Sequence, residues 1–206
     1  MDKVKILAKY MPEQAAPVIA RWIDHYKCDF KVSVKRSTKM GDYRAPFKGQ
    51  NHRISVNHDL NPYGFLITTV HEFAHLLTWN ENKNKVKPHG AEWKTNFKRM
   101  MQPFFDMQLF PDELHQIIVR YLQNPAASSC SDLTLFRALQ AFNATSDLRF
   151  VESLPVESSF MLKNRLFKKG NKIRTRFSCV EVSTGKIYLF HPMAQVVLIA
   201  PADNKD

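Results

Sequence analysis

The chain has 206 residues, of which 44% are apolar and 24% charged, and it carries a net charge of +11. That apolar share is enough to build a core, so a disordered or low-complexity chain is excluded, and the length suits one catalytic domain with a small appendage. Three scattered cysteines, Cys28, Cys130 and Cys179, exclude a disulfide framework, and no apolar run reaches the roughly 20 residues needed to cross a bilayer.

The N-terminal stretch Met1–Lys9 lacks an apolar targeting core and a cleavage-like site. The expectation is a cytoplasmic monomer with reduced thiols and no membrane partner, while the basic balance favours a polyanion. In chain order, a first amphipathic helix is expected after Met11-Pro12, with Val18, Ile19, Trp22, Ile23 and Tyr26 on its core face. Phe30–Lys35 and His52–Asn57 alternate apolar and polar as strands do, and Tyr43–Phe47 is a poorer strand broken by Pro46. His52–Asn57 is expected at the exposed edge of a small sheet, where a substrate backbone could add as a further strand.

Asn61-Pro62 marks the start of the next helix, and this helix carries the most informative run of the chain, His71-Glu72-Phe73-Ala74-His75. Residues four apart share a helix face, so His71 and His75 can offer imidazole nitrogens to one ion while Glu72 projects a step around. Zinc favours neutral imidazole, and a hydrolytic site uses three protein ligands so that a fourth position stays open for water. A carboxylate beside that water can take its proton and deliver it to a leaving amine. Glu72 is placed for this role. A surface helix could carry the same residues by chance, but Leu66, Ile67, Val70, Ala74 and Leu77 mark this one as buried, where a His-Glu-His set needs partners.

The third ligand must come from downstream. Asn80–Lys85 reads as an exposed loop, which disfavours Glu81, and the metzincin extension is absent because Thr78 and Glu81 occupy its Gly and His positions. His89 is the better choice and Glu92 the runner-up. Both lie at the start of a second helix, from about Gly90 to Phe105, with Trp93, Phe97, Met100 and Met101 as its apolar stripe. Further helices are expected at about 111–122 and 131–142. His25, His52, His58, His115 and His191 have no ligand spacing to one another.

His-Glu-Phe-Ala-His, a loop, then Pro88-His89-Gly90-Ala91-Glu92-Trp93 on a following helix resembles the SprT-like zinc metalloproteases, the group that includes the Spartan proteases. The likeness covers about residues 10–105. It implies a compact metallopeptidase domain with one zinc ion on His71, His75 and His89, Glu72 as general base, and a role in degrading proteins bound or crosslinked to DNA. The chain departs from many relatives in lacking paired C-x-x-C motifs, so a C-terminal zinc ribbon is not expected.

From about Glu152 the pattern changes. Phe160–Phe167, Lys172–Val182, Lys186–Phe190 and Gln195–Ile199 read as short strands, with turns at Lys169-Gly170-Asn171 and Ser183-Thr184-Gly185. Between Met161 and Phe190, Lys163, Arg165, Lys168, Lys169, Lys172, Arg174, Arg176 and Lys186 face the single acid Glu181. Interleaved with Phe160, Phe167, Phe177 and Tyr188, they could form a strand face that neutralises phosphates and stacks on bases, or a solvated face over core aromatics.

The sequence therefore predicts an α+β protein. A small zincin-like metallopeptidase domain, helices packed on a short sheet, occupies residues 1–150 and ends in further helices; a basic antiparallel β-module occupies 151–206. The function expected is zinc endopeptidase, acting on protein substrates in the cytoplasm or at the nucleoid, with DNA, single-stranded or protein-bound, as partner. Two alternatives stand beside it: a DNA-binding protein with a structural or idle zinc site, and a zinc hydrolase of small peptides or amides.

Overall fold

The computed structural model describes residues 2–36, 39–126, 132–143 and 147–199. Its contacts divide the chain into two compact units, Met1–Asn143 and Ala144–Asp206. The division precedes the expected boundary at 150 because Arg149 and Phe150 pair with Val196 and Gln195 of the second unit. Six α-helices and two sheets are present among the described residues, and none of these helices is long and apolar enough to cross a membrane.

The first unit opens with a short helix α1 (Lys3–Leu7), too brief to leave a periodic signal, capped by the Asp2 carboxylate on the Val4 N–H. The next helix, α2 (Ala16–His25), buries Val18, Ile19, Ala20 and Ile23. Strands β1 (Asp29–Ser33), β2 (Gly41–Arg44) and β3 (Arg53–Asn57) form a sheet in the order β1-β3-β2, with β1 parallel and β2 antiparallel to β3. The expectation that His52–Asn57 forms the sheet edge is therefore corrected. β3 is hydrogen-bonded on both edges and its Ile54 and Val56 are covered by the core, while the half-buried β2 takes an edge instead.

The long helix α3 (Pro62–Asn82) is apolar nearly all round and buries Phe65, Leu66, Ile67, Val70, Phe73, Ala74 and Leu76. Asn61 caps it: its Oδ1 accepts from the Gly64 N–H at 2.8 Å, while its Nδ2 donates to the Leu139 carbonyl at 2.8 Å. The helix also runs through Asn80–Asn82, where a loop was expected. Asn82 Nδ2 donates back to the Thr78 carbonyl, and the Glu81 carboxylate accepts from Asn96 at 2.7 Å and Arg99 at 2.6 Å, so tertiary contacts override the polar composition. The core continues through α4 (Ala91–Asp106), α5 (Asp112–Gln123) and α6 (Leu133–Gln140), with Trp93, Phe97, Phe104, Ile118 and Leu135 all at 0% exposure.

The second unit is a six-stranded antiparallel sheet in the order β4-β9-β5-β6-β7-β8. Its strands are β4 (Arg149–Phe150), β5 (Ser159–Leu162), β6 (Arg165–Ile173), β7 (Arg176–Glu181), β8 (Ile187–Phe190) and β9 (Gln195–Leu198). The expected strand 160–167 is broken by a turn at Lys163 and Asn164, both at positive φ, and 172–182 is broken at Arg174. Lys169-Gly170-Asn171 is not a turn but part of β6. The register shifts between Lys169 and Lys172, and the strands close so tightly at Gly170 that a Cβ there would lie 2.7 Å from the Ser178 carbonyl oxygen.

Replacing Asn61 by Ala removes both the helix cap and the tie to α6. The expected loss is about 1–2 kcal/mol of unfolding free energy, read from urea titrations monitored by circular dichroism.

Candidate metal centre

His71, Glu72 and His75 sit on the buried stretch of α3, and His89 lies just ahead of α4. The Nε2 atoms converge: His75 is 3.2 Å from His71 and 3.0 Å from His89. Four-coordinate zinc with bonds of 2.0–2.1 Å would hold its nitrogen ligands about 3.3 Å apart, so the donor set fits one such ion with little adjustment. His71, His75 and His89 are accordingly a group able to hold a metal ion. Glu81 is occupied elsewhere by Asn96 and Arg99, and Glu92 does not belong to the cluster.

Burial favours the neutral ring in all three histidines. It holds His71 well below the ordinary imidazole range, with help from the neighbouring rings, takes His75 down to about 3, and lowers His89. Neutral imidazole is the form that binds a metal. The floor of the site is Trp93, fully buried, stacked on His75 and edge-on to His71 and His89. Its indole N–H points to the His71 carbonyl at 3.5 Å, a long contact.

Glu72, 6% exposed, faces the other wall, β2. Burial first, then the nearby Asp42, pushes its carboxyl up to about 8, against the pull of Arg36, Lys39 and a hydrogen bond from the Tyr43 backbone N–H. The Tyr43 ring stacks parallel to His75, and its hydroxyl meets His52 Nδ1 at 3.0 Å. His52, buried against Trp79, is thus a support behind Tyr43 and no ligand. Sequence reasoning missed Gly41 and Tyr43 as parts of the site, because a short strand interrupted by Pro46 gives no periodicity from which its facing could be read, and it set His52 aside because ligand spacing says nothing of a supporting role. The walls enclose an open cleft of about 610 Å³, lined also by Trp79, Lys83 and Lys87.

The basic residues of the second unit divide. Lys163, Lys172, Arg174, Arg176 and Lys186 are exposed, and Lys168 is exposed but paired with Glu157 at 2.5 Å. Arg165 is bound to Glu181 at 2.5 Å and lies over the Phe167 and Tyr188 rings. Lys169 must be removed from the candidate face: at 3% exposure, its ammonium donates to the Glu152 and Leu154 carbonyls beneath the sheet. Phe160 and Phe167 are core residues, enclosed and stacked on each other, so they offer no surface to a base. Of the two buried cysteines described, Cys28 has its thiol pushed up to about 12 by burial; Cys130 lies outside the described residues.

Purified protein should bind one zinc ion per chain by elemental analysis. His71→Ala, His75→Ala and His89→Ala should each fall well below stoichiometric zinc after dialysis, whereas Glu81→Ala and Glu92→Ala should retain it.

Residues 15–114 match the model of the SprT-like family. No curated protein and no solved structure gives a significant match. The matched segment holds α2, the three-stranded sheet, α3 with its His-Glu-Phe-Ala-His run, and α4 with the His89 that precedes it, so the chain carries an SprT-like domain built around a three-histidine site able to hold a metal ion.

Proposed function

We propose that this protein is a zinc-dependent endopeptidase that cleaves protein chains in the cleft of its SprT-like domain. The observation that carries the reading is the convergence of three neutral imidazole nitrogens beside a buried carboxylate, in a cleft walled by an edge strand. Zinc on His71, His75 and His89 would supply Lewis acidity to a carbonyl and to water. Glu72 accepts the proton of the attacking water and passes it to the departing amine, and its burial beside β2 raises its affinity for that proton. The Tyr43 N–H and the enclosing wall hold that carboxylate in place. β2, rather than β3, is the edge strand beside the cleft, and a substrate backbone can add along the part of that edge not taken by Glu72, which reads main chain more than side chains and favours broad sequence tolerance.

DNA guidance is part of the proposal. Its support is the far end of the β6–β7 hairpin, where Lys172, Arg174 and Arg176 cluster in the open around an exposed Ile173 with no acid among them. This is a hairpin tip and not the strand face expected from sequence, so it suits phosphate contacts better than base stacking.

The test is cleavage of a DNA-binding protein by zinc-loaded wild type and Glu72→Gln, with and without single-stranded DNA, read on gels. Cleavage by wild type, reduced about 10²–10⁴-fold in Glu72→Gln with zinc retained, is the expected result; undiminished cleavage by Glu72→Gln would reject the mechanism. Stimulation by DNA supports guidance, and its absence removes that part. Reversing Lys172, Arg174 and Arg176 together to Glu should weaken single-strand binding and reduce its logarithmic salt slope by about 2, whereas Lys169→Met should destabilise the sheet and leave the slope unchanged in the protein that remains folded.

A further inference from the structure

We infer that Gly41 is a positioning residue for the base: its lack of a side chain is what allows the Glu72 carboxylate to lie against the β2 backbone and receive the Tyr43 N–H. A Cβ at position 41 would fall 2.3 Å from Glu72 Oε1 and 2.8 Å from both Cδ and Cγ. All three nearest atoms belong to Glu72, so this side chain occupies the space against the glycine.

The strand itself does not demand glycine here. Gly41 has no positive φ, in contrast to Gly49 and Gly185, and it sits in regular antiparallel register opposite Val56. The backbone on either side is independently held: the Met40 carbonyl accepts from the Asn57 N–H at 2.8 Å, and Asp42 is paired with Lys39 at 2.7 Å and Arg44 at 3.0 Å. Glycine in a strand weakens it, through chain entropy and a missing side chain, so folding alone would favour another residue. Space for Glu72 is the remaining physical reason for glycine.

The clash also has a clear direction of relief. The atoms opposed are the distal end of a flexible side chain, whereas position 41 is fixed in the sheet. An added methyl therefore displaces the carboxylate and leaves the strand where it is. A base shifted by about 1 Å from its acceptor geometry loses on the order of 10²-fold in rate. No histidine atom is among the three nearest to that Cβ, so the substitution is aimed at the base rather than at the metal ligands.

This inference rests on the endopeptidase reading for its kinetic consequence but not for its structural one, and the test separates the two. In metal-free, isotopically labelled protein, the Tyr43 amide proton should lie downfield through its bond to the carboxylate. Gly41→Ala should move it upfield toward its position in Glu72→Ala, with the amide resonances of β3 unchanged. With zinc, Gly41→Ala should keep one ion per chain and an undiminished thermal midpoint, and lose about 100-fold in kcat with KM nearly constant. In the Glu72→Asp background, where the carboxylate is withdrawn by one methylene, Gly41→Ala should cost far less than in the wild type. A Tyr43 amide unmoved in Gly41→Ala, or an equal kinetic loss in both backgrounds, would overturn the inference. A wild type that cleaves no protein, combined with the expected amide shift, would instead reject the endopeptidase reading and leave the Gly41–Glu72 contact standing.

Discussion

Everything in the first unit is organised by the burial of α3. A helix that is apolar on nearly every side must be covered on nearly every side, and α2, α4 and the small sheet supply that cover. The same enclosure takes His71 and Glu72 out of water, where each unpartnered polar group would cost about 1–3 kcal/mol. The imidazoles respond by remaining neutral and turning their nitrogens toward one another; the carboxylate responds by leaning on a backbone N–H and rising toward neutrality. Packing and chemistry are one constraint in this helix, since the core that stabilises the fold also keeps the imidazoles neutral for a metal and raises the proton affinity of the carboxyl beside them.

How much of this could be read from the sequence depends on how local each signal is. The His-Glu-Phe-Ala-His run fixes its own geometry because helical spacing alone brings residues four apart together. His89 also was within reach, because Trp93, Phe97, Met100 and Met101 mark a helix whose start lies just after it. What could not be read was the order of strands. β1 and β3 are parallel neighbours separated by the chain that makes β2, and nothing in their alternation states which one is central. The edge was therefore assigned to the wrong strand, and with it went Gly41 and Tyr43, whose importance depends wholly on facing Glu72.

The second unit gives the complementary lesson. Charge along a strand indicates composition but not direction, and Lys169 illustrates the gap: in sequence it belongs to a basic run, in space it is an internal strut bonded to two carbonyls. Alternation along β6 puts Lys169 on the same inward face as Phe167, and the run of charges around it hides this; the register shift comes only after it, between Lys169 and Lys172, and upsets the alternation toward the hairpin end.

The placement of the aromatic residues has an optical consequence. The chain's three tryptophans, Trp22, Trp79 and Trp93, all fall in the first unit, packed around the core and the histidine site, and the second unit has none. Intrinsic emission excited at the red edge is thus a property of the SprT-like unit alone. With Trp93 touching all three imidazoles, the same signal is a built-in optical reporter at the floor of the site, while the β-sheet unit stays dark.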